Sequence, residues 1–147
     1  MSQIQLALIG FGRIGKIHAE NILRMRDVEI AIVIDPLIES DSQLFNNETE
    51  TGKDIESLLN RSDIDGVVIC SPSKYHADQI KTLAPNIKNI FCEKPISLDL
   101  EEILSIKELS INDGLNLHIG FNRRYDPDFQ KLKNNIHNGA VGDIYQI

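Results

Sequence analysis

Tryptophan is absent from the 147 residues, aromatic side chains make up only 5%, and there are just two cysteines, Cys70 and Cys92. Each cysteine closes a short apolar run, which excludes a disulfide scaffold and points to buried, reduced thiols, with a redox role as the lesser reading. The four histidines, His18, His76, His118 and His137, are scattered, and no two-Cys-two-His spacing accompanies them, so no metal site is expected. Basic residues are outnumbered, 15 against 22 acidic, for a formal charge of -7. No Lys or Arg run is long enough to follow a phosphate backbone, so nucleic acid is not an expected partner. Apolar runs also fall short of the roughly 20 residues that a membrane helix requires. With no basic leader ahead of the first apolar stretch, a cytoplasmic protein without a membrane partner is expected.

What remains is a globular composition, 41% hydrophobic and 25% charged, in a chain long enough for one core. Short runs rich in Ile and Val, at 3–9, 29–34, 66–70, 89–92 and 116–119, read as strands. Between them lie segments of helical period: 13–25, with Ile14, Ile17, Ile22 and Leu23 inward; 55–60; 75–83, ended by Pro85; and 100–112. The last has Asp99 or Ser97 as N-cap candidates, a broad apolar stripe from Leu100 to Ile111, and Gly114 as a stop. Strand and helix in alternation predict an α/β fold, a mainly parallel sheet with helices on both faces. The polar stretch 38–53 has no clean period and predicts a loop or one irregular turn. Past residue 120 the character changes: 126–137 reads as a helix, 138–143 as a turn, and 144–147 as the opening of another strand. The expected division is therefore a main domain over 1–120 and a connecting segment over 121–147 that begins a further domain.

The first strand runs into Gly10-Phe11-Gly12-Arg13-Ile14-Gly15, and Asp35 follows at the end of the second strand, 20 positions after Gly15. A lone G-x-G-x-x-G is weak evidence, but strand, turn, helix and acid together are the context in which it binds a dinucleotide. Gly10 permits the tight turn, Gly12 lets the backbone approach a diphosphate, and Gly15 lets the helix pack close to the strand. The helix N-terminus supplies amides and partial positive charge to the phosphates. Asp35 would accept hydrogen bonds from ribose hydroxyls and repel a 2'-phosphate, with no compensating Lys or Arg before Lys53, which favours NAD over NADP. An unliganded turn with Asp35 capping the bend at Pro36 would use the same residues, and the motif alone does not separate a nicotinamide cofactor from a flavin.

Four stretches occur in order: Gly10 to His18; Ser71-Pro72-Ser73-Lys74-Tyr75-His76; Glu93-Lys94-Pro95; and Gly120-Phe121-Asn122-Arg123-Arg124-Tyr125-Asp126-Pro127. Together they resemble the Gfo/Idh/MocA oxidoreductases, and within that family the myo-inositol 2-dehydrogenases. The resemblance implies an N-terminal Rossmann domain followed by a larger α/β substrate domain, which this chain would lack apart from its opening. It implies that Lys94 is the catalytic residue within this chain, beside the nicotinamide and the reacting hydroxyl of a polyol or sugar, with Lys94-Pro95 a cis bond. Such a Lys can stabilise alkoxide character as hydride leaves carbon.

Ser71, Pro72, His76, Glu93 and Asn122 would join the turn residues around the cofactor, and Arg124 would reach the substrate. A helix-capping or solvent-facing role is as good a reading of His76, and Arg123 is expected to serve structure through an acidic partner. Members of the family complete their site with an Asp and a His from the second domain, whose sheet also makes the main subunit contact. Activity is therefore not expected of the chain alone, and a homo-oligomer is left open. The competing reading is a non-catalytic nucleotide-binding or sensor module, since fold does not fix function.

Overall fold

The computed structural model describes residues 3–38 and 49–145. Six strands form one parallel sheet: β1 (Ile4–Ile9), β2 (Val28–Ile34), β3 (Glu50–Gly52), β4 (Gly66–Ile69), β5 (Asn89–Cys92) and β6 (Asn116–Ile119). Their spatial order is β3-β2-β1-β4-β5-β6, the doubly wound arrangement in which the chain reverses direction across the sheet between β1 and β4. The helices are α1 (Arg13–Ile22), α2 (His76–Leu83), α3 (Leu100–Asn112) and α4 (Pro127–His137), with 3-10 turns at Ile55–Leu58, Ser73–Tyr75 and Asn122–Tyr125.

Alternation of side chains along the strands builds two cores. Ala7, Ile9, Ile32, Ile34, Val67 and Ile69 face one side and pack with Ile80 and Leu83 of α2 and Ile106 of α3. Leu8, Ile30, Val33 and Val68 face the other and meet Ala19 and Ile22 of α1. The sheet is thus covered on both faces, as the near-continuous apolar strands require. Alternation survives an irregularity in β2: Leu6 pairs with Ile30 but Ala7 with Ile32, so Ala31 is the extra residue of a bulge.

Several expectations need correction. Stretch 38–53 contains strand β3, whose Glu50 pairs with Ile32; a short edge strand carrying Glu and Thr has no apolar pattern to betray it, and residues 39–48 lie outside the described ones. The helix expected at 55–60 is the 3-10 turn Ile55–Leu58. On α1 the buried residues are Gly15, Ala19 and Ile22, whereas Ile14, Ile17 and Leu23 are exposed. The cause is close approach: a Cβ on Gly15 would lie 1.9 Å from the Gly10 carbonyl oxygen, so only small side chains fit the leading edge of that face. On α3 the stripe is mostly open, with Ile106 buried and Leu100, Ile103, Leu104 and Ile111 exposed.

Helix 3 starts and stops as read, with Asp99 accepting from the amides of Glu101 and Glu102, and Gly114 at φ +68 just beyond its end. Helix 4 is capped in the same way by Asp126, which accepts from the amides of Asp128 and Phe129. Ile144 and Tyr145 are not in a strand; 146–147 lie outside the described residues.

Candidate functional site

Open parallel sheets bind ligands outside the carboxyl ends of their strands, at the point where strand order reverses. Here that point lies between the ends of β1 and β4, which carry Gly10 and Ser71. The two backbones touch so closely that a Cβ on Gly10, whose φ is +88, would lie 2.5 Å from the Ser71 nitrogen. Gly15 is equally enclosed, but a Cβ on Gly12 would meet no atom within 4 Å. Two glycines therefore serve the turn, and the third opens onto free space at the head of α1. That helix begins with Gly12 in extended conformation and no side-chain cap, and its first turn holds no acid. With the capping seat left empty of side chains, the helix end is arranged to meet an anion through its backbone.

Asp35 lies at the end of β2, half-buried, and is tied to the glycine turn: its Oδ2 accepts from the Phe11 amide at 2.7 Å, and its Oδ1 accepts from the Leu37 amide at 2.8 Å. The capping role considered for Asp35 is therefore real, and it does not exhaust two oxygens with four lone pairs between them. Beside it runs a cleft of 730 Å³, bordered by Gly10, Asp35, Leu37, Ile55, Pro72 and Gln79. That volume lies within the roughly 300–1,000 Å³ of small-ligand sites. Lys53, the first cation after Asp35, lines it too, together with Asp54, Glu56 and Asp78, which no period or motif marks in the sequence.

The remaining candidates follow along the same sheet edge. The Ser71 hydroxyl donates to Gln79 Oε1. Pro72 is exposed at the cleft border, and Tyr75 beside it is half exposed. His76 is 1% exposed, with ring nitrogens 2.7 Å from the Pro95 and Ser71 carbonyl oxygens, so it is enclosed between two loops, where a single imidazole N–H can donate to one of the two carbonyls, instead of capping its helix or facing solvent.

Glu93 ends β5 and is paired with His18 of α1, Nε2 to Oε1 at 2.9 Å; it is not the solvated surface acid such a position usually holds. Lys94 is exposed, and the Lys94-Pro95 bond is cis, as the motif implied. Asn122 and Arg124 stand in the 3-10 turn after β6, Arg124 with its guanidinium 5.8 Å from the Phe121 ring centre. Arg123 pairs with Asp126 at 3.1 Å, the acidic partner expected of it. Cys70 is half-buried and Cys92 buried, both free; burial, then the nearby Glu93 carboxylate, pushes each thiol up to about 12. No group of three His, Cys, Asp or Glu suited to a metal occurs among the described residues, nor does a helix long and apolar enough to cross a membrane.

A glycine turn, an uncapped helix end and an acid closing the second strand of a doubly wound sheet define a dinucleotide-binding α/β domain. Residues 4–121 match the Gfo/Idh/MocA model, described as an oxidoreductase family with an NAD-binding Rossmann fold, and the chain belongs to that family. It is 41% identical over 143 residues to the oxidoreductase YrbE of Bacillus subtilis, covering 95% of this chain and 42% of that protein. To inositol 2-dehydrogenase of Rhizobium meliloti it is 35% identical over 147 residues, 98% of this chain and 44% of the relative. Among solved structures, scyllo-inositol dehydrogenase from Lactobacillus casei, with bound NAD(H) and scyllo-inositol, superposes with a TM-score of 0.85 at 31% identity. The match covers 97% of this chain and 43% of that one. The chain thus spans less than half the length of these relatives.

Proposed function

We propose that this chain binds NAD in preference to NADP and forms the cofactor half of a dehydrogenase acting on a secondary alcohol of a cyclitol or sugar. The observation that carries this reading is the open space at Gly12 in front of an uncapped helix, set against two neighbouring glycines that are closed off. Diphosphate would sit there, and the ribose hydroxyls would donate to the remaining lone pairs of Asp35. The cleft at that end carries Asp35, Asp54, Glu56 and Asp78 against the ammonium of Lys53. Lys53, the first cation after Asp35, does reach the cleft, but four carboxylates outweigh it, and a 2'-phosphate would meet net negative charge.

The bound nicotinamide would supply the hydride acceptor. Ser71, Pro72 and Asn122 would border it, and the exposed ammonium of Lys94 would donate to the substrate oxygen and stabilise negative charge there. Arg124 would face the substrate hydroxyls. Glu93 and His76 would act on the loop that carries Lys94. The substrate class rests on the inositol dehydrogenases among the relatives, and the proton acceptor for the hydroxyl would come from a second domain beyond the 121–147 segment, so the chain alone would bind cofactor without turnover.

Calorimetric titration of the chain with NAD and NADP tests the reading. The expected result is binding of NAD at least about tenfold tighter than NADP, a difference of about 1.4 kcal/mol. Equal affinities, or no binding by a chain shown to be folded, would contradict it.

A further inference from the structure

The loop Glu93-Lys94-Pro95 is met at both ends by histidines from other parts of the fold. At its far end the Pro95 carbonyl lies 2.7 Å from Nδ1 of His76, whose Nε2 lies 2.7 Å from the Ser71 carbonyl. At its near end Glu93 Oε1 lies 2.9 Å from Nε2 of His18. A carboxylate only accepts, so His18 must carry its proton on Nε2 and donate. The His18 ring is itself fixed, tilted against Phe91 with centroids 5.1 Å apart. Glu93 is confined from the other side: a Cβ on Gly120 would lie 3.0 Å from its Oε1, and its Oε2 accepts from the Lys94 amide at 3.3 Å.

His18 lies on α1, the helix whose N-terminus faces the open space at Gly12. One side chain therefore connects the element proposed to bind diphosphate with the loop that presents Lys94. We infer that His18 is a positioning residue: through Glu93 it locks the Lys94 loop to α1, so that the lysine and the cofactor's diphosphate are held in one register. This rests on the proposed NAD site. It also gives Glu93 a positioning task of its own: one oxygen meets His18, and the other accepts from the Lys94 amide.

Hydrogen exchange of the 147-residue chain, read on peptides covering 91–98, tests the inference with wild type, His18→Ala and His18→Gln, each free and with ADP-ribose. That probe carries the diphosphate but no nicotinamide, so it cannot touch Lys94 through the ring. In the free chain His18→Ala is expected to speed exchange in 91–98 about tenfold, the effect of losing one hydrogen bond to a charged group. His18→Gln, whose amide donor reaches the same place, is expected to restore slow exchange. ADP-ribose is expected to slow exchange in 91–98 further in wild type and His18→Gln but not in His18→Ala, while 10–15 is protected in all three. Unchanged exchange in His18→Ala, a uniform acceleration over every peptide, or equal protection of 91–98 in all three proteins would overturn the inference. The free-chain comparison needs no ligand: if ADP-ribose fails to bind wild type, the proposed cofactor site fails, and the lock is decided by free-chain exchange.

Discussion

The amide of Phe11 donates to Oδ2 of Asp35 at 2.7 Å, so the acid that ends β2 also holds the glycine turn that ends β1. Two substitutions separate this structural task from the proposed one of selecting NAD. Asp35→Ala deletes the charge and the bonds to the Phe11 and Leu37 amides, at a cost of about 1–3 kcal/mol. Asp35→Asn removes the charge and, with one oxygen in place of two, keeps an acceptor for the Phe11 amide while giving up the one for Leu37. Thermal unfolding should thus show a larger loss for Ala than for Asn, while titrations should show the NAD-to-NADP ratio falling in both. A ratio that stays at the wild-type value in Asp35→Asn would mean that the carboxylate does not discriminate the 2'-phosphate.

Cys70 and Cys92 test the packing behind the site. Burial is the main cause that pushes both thiols up to about 12, with Glu93 adding to it. Because the folded state holds these protons while the unfolded chain releases them from the ordinary value of 9.0, stability should fall as pH rises above 9. Folded protein at pH 8 should react with a thiol reagent far more slowly than urea-unfolded protein. Fast reaction of either cysteine in the folded state would contradict the closed packing of β4 and β5.

Asp126 is held below the usual carboxylate value of 3.8 by the Phe129 amide first, then by the Asp128 amide and Arg123. A depressed folded value means that the cap stabilises α4 above pH 3.8 and loses that effect as pH falls through the folded value. An NMR titration of the Asp126 carboxylate should have its midpoint below 3.8; a midpoint above it would contradict the cap. At the corresponding position of α3, Asp99→Ala should cost about 1 kcal/mol in denaturant unfolding, and no loss would mean that the two amide bonds contribute nothing.

The central strands were legible because strands buried on both faces are mostly apolar runs of Ile, Val, Leu and Ala: Ile4–Ile9, Val28–Ile34 and Gly66–Ile69 leave little choice of assignment. Strand β3 was not legible, since an edge strand of Glu, Thr and Gly buries little and shows no period. Helix 1 misled through its large residues: Ile14 and Ile17 look like a core face, but the approach of Gly15 to Gly10 reserves that face for small side chains. In the candidate site, local features could be read directly, including the glycine turn and Asp35, and the resemblance supplied the cis bond. Contacts between distant segments could not. Nothing in the spacing of His18 and Glu93, 75 positions apart, or of His76 and Pro95, 19 apart, announces that they meet.

Gly12 offers the most direct test of the cofactor site, because it is the glycine whose side the fold does not use. A Cβ there meets no protein atom within 4 Å, whereas one on Gly15 would lie 1.9 Å from the Gly10 oxygen. Gly12→Ala and Gly15→Ala should be compared with wild type by thermal unfolding and by NADH titration. The account predicts that Gly15→Ala fails to fold stably, while Gly12→Ala unfolds within about 0.5 kcal/mol of wild type and loses about tenfold or more in NADH affinity as its methyl enters the diphosphate's place. A folded Gly12→Ala chain that binds NADH as tightly as wild type would contradict it.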